Sequence, residues 1–126
     1  MAKSFKIQTN PTFKSVVKVP RVGADPLEVS FTFKVKDRKE LAKMFGEWKA
    51  DHEELIKGSE DYSLEDWADK EIEMQVKQLK DIVVGWGFDD EFNDENIEAL
   101  VSSVISVTDE IQSTYNDAYA RAKTGN

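Results

Sequence analysis

The sequence predicts an α+β fold, with a small antiparallel β-hairpin or sheet in residues 1–36 and about four α-helices in residues 37–126. Two observations carry that class. From Leu27 to Val35, the apolar residues Leu27, Val29, Phe31, Phe33 and Val35 alternate with Glu28, Ser30, Thr32 and Lys34, the period of a strand with one buried and one wet face. From Asp37 onward, apolar residues recur at helical spacing and are punctuated by cap residues at Asp37, Ser63 and Asn93. At 126 residues the chain is expected to form a single domain, 1–126, large enough for a core without disulfide or metal.

The β part begins with Phe5, Ile7 and Thr9 alternating with Lys6 and Gln8, until Asn10-Pro11 breaks the run. Phe13, Ser15, Val17 and Val19 then share one face, and Lys14, Val16 and Lys18 the other. The stretch Pro20 to Pro26 places Gly23 between two prolines and predicts a hairpin loop longer than two residues before the Leu27–Val35 strand. The outward lysines read either as an interaction surface or as guards against edge-to-edge pairing.

The helical part opens on a capping box, Asp37 as N-cap and Glu40 three residues later, and Gly58 is a stop signal, so helix one spans about 38–57. Ser63 caps a second helix, with Tyr62 and Trp67 at staple spacing. Its stripe is Trp67, Ile72, Val76, Leu79, Ile82, Val83 and Trp86, and it is expected to end at Gly85 or Gly87. Asn93 caps a third helix with Asp94 and Glu95 in its electropositive first turn, Phe92 and Ile97 repeating the staple, and Ile97, Leu100, Val101, Val104 and Ile105 facing inward. Ser106 or Thr108 starts a last helix with Ile111, Tyr115, Ala118, Tyr119 and Ala122 on one stripe, and Lys123 to Asn126 is expected to fray.

Residue chemistry excludes more than it assigns. Cysteine is absent, so no disulfide framework, thiolate nucleophile or zinc ribbon exists. The single histidine, His52, lacks the second histidine of H-E-x-x-H, since Ile56 stands there. A calcium loop starting at Asp89 would need glycine where Asp94 is and a bidentate Glu where Leu100 is. Acid pairs such as Glu53/Glu54 and Glu65/Asp66 lie on regularly charged helical faces, and no phosphate loop, dinucleotide fingerprint or nucleophile elbow occurs. The reading is a protein without catalytic residues, metal site or cofactor. Met1 to Phe5 lacks the apolar run of a signal peptide and no stretch approaches a membrane span, so a reducing cytoplasm and no membrane are expected.

The net charge of −8 conceals an asymmetry. Residues 1–36 carry seven Lys or Arg against Asp25 and Glu28, a net of +5, whereas residues 37–126 carry ten against twenty-three acids, a net of −13. An acidic body argues against wrapping nucleic acid, which needs clustered cations. The basic β part either steers the chain toward an acidic partner or complements its own acidic body.

The stretch Val83 to Asp94 joins the second and third helices and places Trp86, Phe88 and Phe92 among acids. Two readings stand for these rings: core that closes the gap between helices, or anchors of a partner interface. They are the candidate partner-binding residues.

The order of these features carries a resemblance. F-x-I…F-x-x-x-V-x-V-P (Phe5, Ile7, Phe13, Val17, Val19, Pro20) precedes a glycine-bearing loop, and V-x-F-x-F (Val29, Phe31, Phe33) leads into R-x-E-L (Arg38, Glu40, Leu41). V-x-G-W (Val83, Gly85, Trp86) is followed by an acidic turn, a polar cap and a short helix, and Y-x-x-A-x-A-R-x-K-x-x-N (Tyr115, Ala118, Ala120, Arg121, Lys123, Asn126) ends the sequence. This resembles the tail assembly chaperones of long-tailed bacteriophages, over nearly the whole chain, departing from them in the acidic stretch Asp51–Tyr62 and the long second helix. The resemblance implies a non-enzymatic protein of the host cytoplasm, absent from the mature virion, that binds the tape measure protein and helps recruit tail tube subunits. Self-association is compatible with it. Two other classes remain open: a minor structural tail protein, and an acidic nucleic-acid mimic that binds a basic host factor.

Overall fold

Alternation along two strands and helical spacing after them become a three-stranded sheet with helices packed on one face. The computed structural model describes Ile7 and residues 11–124, with side chains as far as residue 122. Of the expected Phe5–Thr9 strand only Ile7 is described, and it stands outside any strand. The terminal Gly125 and Asn126 also lie outside the described residues.

Strands β1 (Thr12–Val19) and β2 (Leu27–Lys34) pair antiparallel from Thr12↔Lys34 to Val19↔Leu27. The intervening loop turns at Gly23, whose φ of 78° lies in the left-handed region that glycine adopts without penalty. Helix α1 (Arg38–Lys57) starts on the expected capping box: Asp37 Oδ1 accepts from Glu40 N at 2.9 Å, and Asp37 N donates back to Glu40 Oε1 at 3.1 Å. It ends at Gly58, whose φ of −87° is open to any residue; space is what matters there, since a side chain would strike the Tyr62 hydroxyl. A short 3-10 turn, Ser59–Asp61, leads to the Ser63 cap of α2 (Leu64–Ile82).

At the end of α2 the structure corrects the sequence reading. The helix stops at Ile82 rather than at Gly85 or Gly87, and Val83–Trp86 forms β3, antiparallel to β2 on the side opposite β1. The reason is backbone accounting. Phe31 and Phe33 bury β2, so its second edge needs hydrogen-bond partners, and the β-branched run Ile82-Val83-Val84 suits a strand as well as a helix. The pairing Phe31↔Trp86, Thr32↔Gly85, Phe33↔Val83 slips by one residue in a bulge, and Gly87 N extends it to Ser30 O at 2.7 Å.

Helix α3 (Asp94–Ser103) begins on the Asn93 cap, and α4 (Val107–Thr124) begins after Ser106, which has a φ of 69°. The core collects Val17 and Val19 from β1, Phe31 and Phe33 from β2, Met44 from α1, Leu79 and Ile82 from α2, Ile97 and Val101 from α3, and Ile111 and Tyr115 from α4. Ile105, expected to face inward, is 78% exposed at the α3–α4 turn, because α3 ends at Ser103.

Polar contacts set the helices against one another. Trp48 Nε1 donates to Asp81 Oδ2 at 2.8 Å and Lys77 pairs with Asp51 at 2.8 Å, tying α1 to α2. Thr108 Oγ1 donates to Gln75 Oε1 and Gln112 Nε2 to Gln78 Oε1, both at 2.9 Å, tying α4 to α2. Tyr115 and Tyr119, one turn apart on α4, close the sheet end. The Tyr115 hydroxyl donates to Lys34 O at 2.8 Å, and the Tyr119 hydroxyl accepts from Lys36 N at 2.7 Å and lies 3.0 Å from that of Tyr115. Burial, then the hydrogen bond with Tyr119, pushes the Tyr115 phenol well above its ordinary pKa.

Candidate partner-binding site

The junction between α2 and α3 is built by β3. In-register pairing opposite Phe31 puts Trp86 on the core side of the sheet, and Gly87 carries the chain on to Phe88 before the acidic turn. The three aromatics named from the sequence are brought together. Trp86 stands nearly perpendicular to Phe88 (5.1 Å between centroids, 87°) and Phe92 (5.0 Å, 90°), and it meets Phe31 edge-on at 6.1 Å. Phe88 in turn meets Phe31 at 5.9 Å. These are the edge-to-face arrangements that the ring quadrupole favours.

The acids of the turn contribute backbone more than charge. Trp86 Nε1 donates to the Asp90 carbonyl at 2.8 Å, and Asn96 Nδ2 to the Glu91 carbonyl at 2.7 Å. Asn93 Oδ1 accepts from Asn96 N at 2.8 Å, closing the cap. Asp94 pairs with Lys80 of α2 at 2.9 Å. Among the described residues no group of three or more His, Asp or Glu is placed to hold a metal ion. His52 lies exposed on α1, away from this junction.

All three rings are half-buried and rest on the core, but they differ in their outer faces. Trp86, Phe88 and Asp90 form one wall of a cleft of about 270 Å³, and Asn96, Ala99, Leu100, Ser103 and Val104 form the other. Phe92 does not line it; it packs edge-on against Trp86. The cleft wall on α3 is the part that sequence reasoning missed. Leu100 and Val104 looked like buried stripe and are half-exposed, while Ala99 and Ser103, one turn apart, are small enough to leave the space open. That i, i+4 pair of small residues beside an apolar stripe was the available signal.

A model of the phage tail assembly chaperone family matches residues 1–126. The chain belongs to that family. No curated protein and no solved structure matches it. Membership makes the protein a tail assembly chaperone by descent, in a family of assembly factors that are generally not enzymes. In this chaperone the V-x-G-W segment is a structural junction: Val83 is core, Gly85 lies over Thr32, and Trp86 joins core to cleft. No described helix is long and apolar enough to cross a membrane.

Proposed function

We propose that this chaperone binds an amphipathic helix of the tape measure protein in the cleft between Trp86, Phe88 and α3, keeping that helix soluble while tail tube subunits are recruited. The cleft is the observation that carries the reading: an aromatic floor with a small-residue wall accepts one or two apolar side chains of a helix, as helix-in-groove recognition requires. Burying a Leu-sized anchor there contributes about 1.5–3 kcal/mol before ordering costs, so a few such contacts give reversible binding suited to a factor that leaves. Phe92 acts beneath the site by holding Trp86 in place.

The test is co-expression with tape measure fragments. Ala99 is exposed and lines the cleft, so Ala99→Arg fills the space with a charged side chain without touching the core. The variant is expected to keep the wild-type unfolding midpoint and to lose co-purification of the fragment. A fragment that is equally soluble without the chaperone, or that co-purifies equally with Ala99→Arg, refutes the reading. The same proposal places the protein in the host cytoplasm and outside the finished virion, so mass spectrometry of purified virions should not find it.

A further inference from the structure

A second surface, on the opposite side of the sheet from β3, has different chemistry. Among the described residues, β1 is an edge strand. Its register decides which backbone groups are used and which point outward. Val35 N donates to Pro11 O at 2.8 Å, which makes Pro11 and Val35 a directly opposed hydrogen-bonded pair. In an antiparallel ladder such pairs alternate, so Phe13, Ser15, Val17 and Val19 spend their N–H and C=O groups on β2. Those of Thr12, Lys14, Val16 and Lys18 point away from the sheet. The bond from Gly87 N to Ser30 O agrees, because it turns the even residues of β2 toward β3 and its odd residues toward β1.

The side chains of the outward-facing residues add a pattern. Lys14, Val16 and Lys18 stand exposed on the solvent face, Val16 at 54%. Neither Lys14 nor Lys18 is ion-paired among the described residues. They lie about 13 Å apart, at four residues of strand rise. On the helix side, at the Phe13 end of the strand, Phe13, Val35, Ala118, Tyr119 and Ala122 line an apolar cleft of about 270 Å³.

We propose that the edge of β1 takes an extended acidic segment of a partner protein as a fourth strand, reading acid–x–apolar–x–acid. The two acids fall opposite Lys14 and Lys18 and the apolar residue opposite Val16, where directly opposed side chains interact most strongly. A flanking apolar residue on the other face of that segment reaches the cleft beside Phe13. Charge selects this occupant over a second copy of the chain. Antiparallel self-pairing centred on Val16 would set Lys14 against Lys18 twice, and like charges directly opposed destabilise a ladder. The lysines that deter edge-to-edge aggregation therefore also define the partner the edge accepts. This edge is separate from the Trp86 cleft, and the inference stands or falls independently of what binds there.

The test uses the full chain and a labelled ten-residue peptide with Glu-Thr-Val-Thr-Glu at its centre and Leu at each flank, followed by fluorescence anisotropy. Its charge-reversed twin carries Lys in place of Glu. The acidic peptide is expected to bind at least tenfold more tightly than the basic one, and the double variant Lys14→Glu, Lys18→Glu to reverse that order. Val16→Pro removes an outward N–H without breaking a bond to β2, and is expected to weaken the acidic peptide at least tenfold. Hydrogen exchange on the wild type gives a readout independent of any variant's folding: the peptide should slow the amides of Thr12, Lys14, Val16 and Lys18. Equal affinity for both peptides overturns the proposal. So does the absence of protection at those four amides, or a dimer in sedimentation that Val16→Pro abolishes.

Discussion

Trp86→Ala separates the two roles that the sequence leaves open for this ring. A fully buried tryptophan replaced by alanine costs about 3–5 kcal/mol. Trp86 is half-buried, contacts Phe31, Phe88 and Phe92 edge-on, and donates to the Asp90 carbonyl at 2.8 Å. The cost therefore falls at the low end, about 3 kcal/mol, including roughly 1 kcal/mol for the lost hydrogen bond. In urea, with a slope of about 1.5 kcal/mol/M, the midpoint should fall by about 2 M, followed by far-UV circular dichroism. Thermal unfolding should drop by roughly 10 °C or slightly more. Trp86→Phe keeps part of the ring and loses the Nε1 donor, so it should fall between wild type and alanine. If Trp86→Ala costs less than about 1 kcal/mol and abolishes partner binding, the aromatic cluster is not a structural junction, and the edge-on contacts contribute little.

Tyr115→Phe should cost about 1–2 kcal/mol at neutral pH, because the Lys34 carbonyl loses the Tyr115 donor, while the Tyr119 hydroxyl loses one contact and keeps those to Lys36. The folded state raises the Tyr115 pKa above its ordinary 10.0, so the unfolded chain loses this proton first. Its contribution is thus complete below about pH 10 and declines as pH rises above it, and Tyr115→Phe should flatten that alkaline loss in urea titrations. Asp81→Ala leaves the half-buried Trp48 indole without its acceptor and should cost about 1–2 kcal/mol by chemical denaturation, with Asp81→Asn restoring most of it.

How much of this was legible follows from how local each signal is. The α1 bounds and the caps at Asp37, Ser63 and Asn93 depend on residues within four positions of one another, and all appear as read. The period-two strands over residues 12–19 and 27–34 did too, because a wet face and a buried face show in the alternation itself, whereas the Phe5–Thr9 run lies, but for Ile7, outside the described residues. β3 was not legible. Ile82-Val83-Val84-Gly85-Trp86 fits the end of a helical stripe, and the competitor that wins is the edge of β2, fifty residues earlier. The gathering of Trp86, Phe88 and Phe92 was readable from their spacing, but the far wall of the cleft was not, since Ala99 and Ser103 signal only by being small. The Tyr115–Tyr119 closure likewise looks in sequence like two stripe positions, and its hydroxyls reach backbone more than eighty residues away.

The charge asymmetry gains a spatial meaning from the fold. Within the +5 segment, Lys14 and Lys18 stand exposed on the face of the sheet turned away from the helices, although α4 packs on the other face of β1. Internal neutralisation would require those lysines to meet the helical acids, yet the ion pairs between described residues, Lys77 with Asp51 and Lys80 with Asp94, lie within the helical part. Lys14 and Lys18, unpaired among the described residues, thus keep their charge toward solvent. Under the two proposals, Asp90 disposes the Trp86 cleft toward a helix flanked by basic residues, and Lys14 and Lys18 dispose the β1 edge toward an extended acidic strand. Each surface would then repel the segment suited to the other, so their charge signs keep the two occupants apart.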